Sequence, residues 1–280
     1  MRDPWSLRIP AGAEGPAPCA ADMASRIVTA PSFAASVQPA ASAMLADLAG
    51  EPTPHPKGTL LLEAGGPLTG LSLVERGWLI GSLSFPDGRR SVPRIFLPGD
   101  VIGLPDLALG HAILTVRSAE AGETRRVPRP RLLEALRTAP DLAENLLALA
   151  AQERAVSVLH LRAISRMTAA ERLAFFFHTL LARLRQVDPG QGPRLHLPLS
   201  QTDLADHLGL TSVYVSRTLT TLTQRGIISR IPGGVVVHDE NALAALAEGA
   251  ERGAGASAGP MGAAPAEALG DRMDGTANQA

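Results

Sequence analysis

The spacing of apolar positions changes near residue 128 and divides the chain into two parts. From about residue 57 to residue 128, short apolar runs alternate with turns rich in Gly, Pro and Asp; the runs include TLLLEAGG, GWLIGSLSF and RRSVPRIFL. Pro86-Asp87-Gly88 and Pro98-Gly99-Asp100 supply two of the turns, and ILTVRSAEAGETRRV predicts two further strands around Gly122. Short strands at regular spacing predict a small antiparallel barrel or sandwich.

After Pro128 the apolar residues recur at three, four and seven positions, which is the period of an α-helix. RPRLLEALRTA predicts a short helix, and the segment from Asp141 to Met167 predicts a long one. A helix of about 25 residues spans nearly 40 Å, too long to pack wholly on a small barrel. A core helix stays possible, but the length favours a coiled coil between two subunits. The stripe predicted to form that interface is Leu142, Leu146, Leu149, Val156, Leu159 and Ala163.

A further helix, TAAERLAFFFHTLLARLRQV, precedes a pair of short helices in LPLSQTDLADHLGLTSVYVSRTLTTLTQRGII. Ser200 and Asp203 form a capping box for the first of the pair, Gly209 permits a left-handed turn, and Thr211 caps the second. The alternative is an ordinary helical hairpin in a core, but the short turn and the small Ala205 favour a helix-turn-helix. The next segment, IISRIPGGVVVHD, predicts a β-hairpin wing.

The second helix of the pair has one outward face without acidic residues. Short side chains there surround a single long cation, Arg217, and such a helix can enter the major groove and present a donor pair to guanine. The residues predicted to contact DNA are Thr211, Ser212, Val213, Ser216, Arg217, Thr220, Arg225 and Arg230. The predicted buried stripe of the same helix is Val215, Leu219 and Leu222.

Charge and composition narrow the function further. The formal net charge of the 280 residues is −1, but residues 190–238 carry four arginines against Asp203 and Asp206, a local excess of two positive charges. We therefore expect salt-sensitive binding of double-stranded DNA, mainly as a dimer. Cys19 is the single cysteine, so the sequence predicts neither a disulfide framework nor a metal or iron–sulfur site.

The sequence does not predict a secreted protein, a membrane protein or an enzyme. The N-terminus lacks the apolar run of a signal peptide, and no stretch of about 18 apolar residues occurs, which predicts a soluble, cytoplasmic protein without membrane contact. The chain contains no G-x-S-x-G, no phosphate-binding glycine loop and no cluster of metal ligands, so we expect no enzyme.

Residues 57 to 240 resemble the Crp/Fnr family of bacterial transcription regulators. LPLSQTDLADHLGLTSVYVSRTLTTLTQRGII resembles the family's helix-turn-helix almost position by position, and RGWL, PDGRR, LPGD and IGLPDLALG resemble its sensor barrel, closest to the Fnr/FixK side. RMTAAERLAFFF resembles the segment between the dimer helix and the DNA-binding domain. The resemblance implies a homodimer that binds a palindromic DNA site, with RNA polymerase as a further partner if the protein is an activator.

The predicted fold class is α+β, with an N-terminal β jelly-roll domain of the cyclic-nucleotide-binding type, a long dimerisation helix and a C-terminal winged helix-turn-helix domain. The predicted order is a flexible N-terminal extension (1–40), the sensor β-roll with flanking helices (41–137), the dimerisation helix (138–167), the DNA-binding domain (168–248) and a flexible tail (249–280). The alternative is a ligand- or haem-responsive interaction protein of the same fold with little sequence-specific DNA binding.

The sequence departs from the family pattern at three places. Many members carry a glutamate on the recognition helix four residues before the arginine, where this chain has Val213, so the expected operator differs from the usual half-site at that base pair. Cyclic-nucleotide binders have Gly-Glu followed by an arginine, but Gly103 precedes Leu104 and the arginine position falls at 112–113, so we expect no cAMP binding. A single cysteine excludes the Fnr-type iron–sulfur cluster on ligand count.

The sequence does not identify the signal that the sensor domain detects. His55, His111 and His160 lie in or near the sensor region, but no pair of them has ligand spacing, so no cofactor is expected and haem is kept only as a remote alternative. His160 on the long helix is a hypothetical pH-sensitive subunit contact. The prediction is control through expression level or an unidentified signal.

Overall fold

A computed structural model describes residues 34–249 of the chain, with side chains from residue 41 onward. The predicted extension and tail lie outside this range except for residues 34–40 and 249. In chain order the elements are α1 (Ala34–Leu48), β1 (Thr53–His55), β2 (Leu60–Leu62), β3 (Gly70–Arg76), β4 (Leu79–Ser84), β5 (Arg90–Phe96), β6 (Val101–Ile102), β7 (Thr115–Ser118), β8 (Gly122–Pro128), α2 (Arg129–Thr138), α3 (Pro140–Arg166), α4 (Ala169–Val187), β9 (Arg194–His196), α5 (Gln201–Leu208), α6 (Ser212–Gln224), β10 (Ile228–Ile231), β11 (Gly234–Val237) and α7 (Glu240–Glu248).

Strands β1 to β8 form two four-stranded antiparallel sheets, in the orders β1-β8-β3-β6 and β2-β7-β4-β5. The predicted hairpin joins β4 and β5, whose register pairs Leu79 with Phe96 and Ser84 with Arg90. The strands on either side of Gly122 lie in different sheets, because β7 pairs with β2 and β4 while β8 pairs with β1 and β3. The β-roll and its mixed α+β class agree with the prediction.

Helix α1 agrees with the flanking helices expected for residues 41–137, but no pattern located its bounds, and its first residues fall in the segment expected to be flexible. Ala41 and Leu45 are completely buried and pack in a cluster with Leu71, Leu132 and Leu142. The Ser42 hydroxyl donates a hydrogen bond of 2.8 Å to the Gly99 carbonyl. An alanine-rich helix is therefore ordered by burial against the β-roll and α3, which local composition does not reveal.

The long helix α3 has the predicted length, but its predicted interface stripe is wrong. Five of the six side chains are buried within the same chain: Leu142 2%, Leu146 5%, Leu149 4%, Leu159 7% and Ala163 4% exposed. The sixth, Val156, is half-buried. Side chains that already pack against the β-roll, α1 and the C-terminal part of the chain have no surface left for a second subunit.

A different face of α3 is exposed. Leu147, Val158 and Leu161 are 72%, 55% and 60% exposed. With three further exposed residues they follow an alternating spacing of four and three, the heptad period of a coiled-coil interface. We call this set the heptad face: Leu147, Ala151, Arg154, Val158, Leu161 and Ser165.

The C-terminal domain is built on α4 and the helix pair. Thr168 and Glu171 form a capping box at the start of α4, and Phe177 of this helix is completely buried in a cluster with Val215 and Leu222 of α6. Strands β10, β11 and β9 form a small antiparallel sheet, and α7 covers α4. Within residues 34–249, no helix combines the length and apolar character needed to cross a membrane.

Candidate nucleic-acid interface

The helix-turn-helix has the cap geometry predicted from its sequence. The Ser200 hydroxyl accepts from the backbone N–H of Asp203 at 3.0 Å, and the Asp203 carboxylate accepts from the backbone N–H of Ser200, also at 3.0 Å. Gly209 ends α5 in the left-handed region with φ 62°. The Arg172 guanidinium of α4 donates to the carbonyl of Leu208 at 3.0 Å, which satisfies one of the last carbonyls of the helix. The turn between α5 and α6 is therefore held from both sides.

Helix α6 has one buried and one exposed side, as predicted. Val215 and Leu222 are completely buried and Leu219 is 6% exposed. On the opposite side Val213 is 60% exposed, Arg217 and Thr220 are exposed, and Ser212 and Ser216 are half-buried. No hydrogen bond or ion pair engages the Arg217 guanidinium among the residues that the structure describes. A long cation without a partner thus lies among short side chains.

The threonine side chains of α6 form hydrogen bonds with the backbone of their own helix. Four hydroxyls donate to the carbonyl one turn earlier: Thr218 to Tyr214 at 2.8 Å, Thr220 to Ser216 at 3.1 Å, Thr221 to Arg217 at 3.2 Å and Thr223 to Leu219 at 2.9 Å. These bonds consume the hydroxyl protons inside the helix. The exposed Thr220 therefore offers a methyl group and an acceptor, but no free donor.

The remaining predicted contacts surround this face. Thr211 is the N-cap of α6, where its hydroxyl accepts from the backbone N–H of Tyr214 at 3.2 Å. The N–H groups before Tyr214 lie in the first helical turn, which favours binding of a phosphate. Arg225 is the C-cap residue of α6 and Arg230 is exposed on wing strand β10. The sequence prediction missed Tyr214, which is 55% exposed; its position next to Val213 at the helix start was the available signal.

The sequence prediction also missed Arg90. This residue of β5 bridges two acids of α5, with Nη2 at 2.5 Å from Asp203 Oδ1 and Nε at 2.8 Å from Asp206 Oδ2. Burial alone raises the pKa of Asp203, but hydrogen bonds from Ser200 and Arg90 outweigh it and lower the pKa below its ordinary value. The two acids of the helix-turn-helix are therefore paired with a cation from the β-roll. Because this cation neutralises part of their charge, the positive charge of the four arginines exceeds the net value of two that residues 190–238 indicate.

A buried polar cluster lies where the β-roll, α3 and α4 meet. The Asp100 carboxylate accepts from Arg183 Nη2 at 2.5 Å and from the backbone N–H of Leu97 at 2.9 Å. Arg94 Nη2 lies 3.7 Å from Asp100 and 3.5 Å from Glu153. Burial opposes ionisation of Asp100, but Arg183 and Arg94 outweigh it and lower its pKa. Burial raises the pKa of Glu153 to about 7, and the Arg94 cation that opposes this rise is shared with Asp100.

Two histidines, one on α3 and one on α5, lie at the same junction. The ring of His160 on α3 lies 4.6 Å from the ring of His207 on α5, measured between centroids, so His160 packs within its own chain. Burial, aided by repulsion from His160, lowers the pKa of His207 to about 3. The other two histidines considered as haem ligands lie elsewhere: His55 is buried at the end of β1, and His111 is exposed with Nδ1 3.0 Å from the Leu109 carbonyl. Among the described side chains, no three His, Cys, Asp or Glu residues form a group suited to a metal ion.

A cavity of about 360 Å³, partly open to solvent, lies between the strands of the β-roll and α3. Phe96, Leu114 and Val116 form part of its apolar wall, and Arg94 and Glu153 lie at the side of α3. Gly103, with φ 88°, precedes Leu104, which is 9% exposed. A buried leucine therefore occupies the sequence position at which the family resemblance implies a ribose-binding glutamate.

Comparison with known proteins places these features in a family. Residues 171–246 match the Crp-like helix-turn-helix domain. The nitrogen fixation regulation protein FixK of Bradyrhizobium diazoefficiens is 33% identical over 164 residues, which cover 58% of this chain and 67% of the relative. The fumarate and nitrate reduction regulatory protein of Salmonella typhi is 27% identical over 195 residues, which cover 69% of this chain and 77% of the relative.

Solved structures agree. FixK2 from Bradyrhizobium japonicum is 28% identical with a TM-score of 0.65, and the match covers 71% of this chain and 96% of that one. A CRP/FNR-family transcriptional regulator from Thermus thermophilus has a TM-score of 0.57 at 18% identity, with 71% of this chain and 98% of that one covered, which supports the fold alone.

Proposed function

The chain belongs to the Crp/Fnr family of DNA-binding transcription regulators, and from this premise we propose that it acts as a homodimer on a palindromic DNA site. Like these relatives, it is a transcription regulator and not an enzyme. The observation that carries the proposal is the acid-free outer face of α6, on which Arg217 is exposed without a partner among the described residues. An arginine in this position can donate two hydrogen bonds to guanine O6 and N7.

The heptad face of α3 supports the homodimer. Three large apolar side chains, Leu147, Val158 and Leu161, remain more than half exposed on a helix whose other side is buried. A heptad spacing in an exposed face favours pairing with an identical helix. Two copies of α6 held by such a pair would meet two half-sites about one helical turn of DNA apart.

The sequence of the half-site follows from the residues before Arg217. Val213 is 60% exposed and carries no polar group, so it can only make an apolar contact, such as one with a thymine methyl. We expect the half-site to lack the cytosine contact that a glutamate would make at this position. RNA polymerase is a further partner if the protein activates transcription.

We also propose that cAMP, an iron–sulfur cluster and haem are not the signal. Leu104 after Gly103 offers no acceptor for a ribose hydroxyl, and Cys19 is the single cysteine of the sequence. The 360 Å³ cavity supports a second candidate, a regulator that responds to a small apolar ligand, because ligand sites are typically roughly 300–1,000 Å³ and mostly apolar. An absorption spectrum of the purified protein tests haem, and calorimetric titration with cAMP tests the nucleotide.

The experiment that tests the main proposal is selection of bound duplexes from a random pool, combined with sedimentation equilibrium. A palindromic consensus together with a dimeric mass is the expected result. Equal affinity for all duplexes would favour the alternative of an interaction protein that has little sequence-specific DNA binding. A monomeric mass would contradict the homodimer.

A further inference from the structure

The DNA-binding domain is joined to the long helix by a short covalent link. Helix α3 ends at Arg166 and α4 begins at Ala169, and the two residues between them, Met167 and Thr168, both have extended backbone conformations. A two-residue extended link sets the distance between the domains, but rotation about its backbone bonds changes the direction in which α6 points. Noncovalent contacts must therefore set the orientation of α6.

Strand β5 supplies these contacts on the side of α5. The Arg90 guanidinium holds Asp203 and Asp206, one helical turn apart, at 2.5 and 2.8 Å. Two residues further along the strand, the Val92 carbonyl accepts from His207 Nδ1 at 2.8 Å. A planar fork across two carboxylates restricts both the distance and the rotation of the helix that bears them.

The same strand is anchored in its own domain. Arg94 of β5 lies between Asp100 of the β-roll and Glu153 of the long helix, whereas the Ile95 carbonyl accepts from Arg183 of α4 at 3.3 Å and adds a further contact with the C-terminal domain. Strand β5 is thus bound to the long helix at one end and to the helix-turn-helix at the other. Asp203 is equally fixed on its side, because it forms the capping box of α5 with Ser200.

We infer that Arg90 is a positioning residue for DNA binding: by holding Asp203 and Asp206, it fixes the orientation of α6 relative to the long helix. In this arrangement the outer face of α6 and the heptad face of α3 are both exposed, so the contact blocks neither DNA nor a second subunit. The inference rests on the proposed homodimer on a palindrome, since orientation matters most when two helices must reach two half-sites together.

A fixed orientation of α6 predicts a specific dependence of DNA affinity on the spacing of the half-sites. A dimer with rigidly oriented α6 helices gains affinity from its second half-site and loses it steeply when the half-site spacing changes, whereas a dimer with mobile helices gains less and tolerates the change better. Binding to one half-site depends little on the orientation of the other subunit. Destabilisation of the fold would instead weaken all DNA alike.

The test compares two charge-neutral pairs of substitutions, each of which removes one arginine of the β4–β5 hairpin. The double variant R90Q/D206N removes one cation and one anion, so the net charge is unchanged and Asp203 keeps its capping box. The matched control R89Q/D87N removes the neighbouring pair, in which Arg89 Nε lies 2.8 Å from Asp87 Oδ2 within the β4–β5 turn. Affinities are measured for a palindrome, for the same palindrome with one base pair inserted at its centre, and for a single half-site, and folding is checked by circular dichroism.

For R90Q/D206N we expect affinity for the palindrome to fall about fivefold or more, the insertion penalty to shrink, and half-site affinity to stay within about twofold of the unaltered protein. R89Q/D87N should match the unaltered protein on all three duplexes. The positioning role is overturned if R90Q/D206N keeps the full insertion penalty, or if it weakens all three duplexes equally. If the unaltered protein itself shows no insertion penalty, the proposed bivalent binding fails, and the positioning role fails with it.

Discussion

The imidazole of His207 lies between a carbonyl and another imidazole: its Nδ1 donates to the Val92 oxygen at 2.8 Å, and its ring lies 4.6 Å from that of His160. The carbonyl can only accept, so Nδ1 carries the proton and the second ring nitrogen is unprotonated in the neutral ring. A proton added to His207 would place a charge in the junction next to His160. Burial of His207 between the two domains therefore favours its neutral form.

This preference predicts that His207 lowers the stability of the folded chain at acidic pH. Burial lowers the pKa of His207 from 6.5 to about 3, so between these values the unfolded chain binds one proton more than the folded chain, and the free energy of unfolding falls as pH falls. From pH 6.5 to about pH 5 the loss attributable to this group is about 2 kcal/mol. H207N keeps a donor for the Val92 carbonyl without titrating, and urea unfolding of this variant should show a pH slope smaller by about one proton in that range.

The raised pKa of Glu153 predicts the opposite dependence of the free energy of unfolding on pH. Its pKa is raised from 4.5 to about 7 by burial, so in this range the folded chain binds the extra proton and stability falls as pH rises. E153Q removes this loss and should raise the free energy of unfolding near pH 8 by at most roughly 3 kcal/mol, with little effect near pH 4.5. Glu134 of α2 is exposed, and E134Q is the matched control for removal of one carboxylate. An equal gain from E153Q at both pH values would show that its pKa is not raised.

The local elements of this fold could be predicted from the sequence, but the contacts between them could not. Capping residues such as Thr168 and Thr211, and Gly209 at its left-handed turn, act within a few positions, so their pattern alone located the helix starts and the helix-turn-helix. Arg90 lies 113 positions before Asp203, and no local pattern relates the two residues. The sequence therefore predicts the helix caps, but it does not predict the contacts between the two domains.

Helix α3 shows the same limit in another form. The stripe from Leu142 to Ala163 has a spacing similar to that of the heptad face, and the sequence prediction places that stripe at the subunit interface. Leu142, Leu146 and Leu149 of that stripe pack against the β-roll and α1 instead, and Leu159 and Ala163 are buried further along the same chain. Periodicity identifies faces of a helix but does not say which partner each face meets.

The corrected assignment predicts different outcomes for two leucines on α3. Leu161 is 60% exposed on the heptad face, so L161D should give a folded monomer that has lost its affinity for the palindrome. Leu149 is 4% exposed inside the chain, so L149D buries an unpaired charge and should unfold the subunit. Sedimentation gives the mass of each variant and circular dichroism its folding. A folded dimer of L161D would locate the subunit interface elsewhere.

The packing of α1 predicts that this helix belongs to the folded β-roll domain. Leu45 is completely buried against the cluster that contains Leu71 and Leu132, so L45A should lower the free energy of unfolding by about 2–5 kcal/mol. Asp47 is exposed on the same helix, and D47A should change stability by less than about 0.5 kcal/mol. Urea unfolding measures both. Equal stability of L45A and the unaltered protein would mean that α1 does not contribute to the core.

Arg217 allows the sharpest test of base recognition. If its guanidinium binds guanine, R217A should weaken binding to the selected palindrome by about 1–3 kcal/mol per half-site and leave binding to random duplex nearly unchanged. R217K is the informative companion, since it keeps the charge but cannot form the paired hydrogen bonds, and it should lose most of the same specificity. R230A, on wing strand β10, is expected to weaken both kinds of duplex alike and to lower the salt dependence. If R217A instead behaves like R230A, Arg217 contacts phosphate, and sequence recognition must come from other residues at the start of α6.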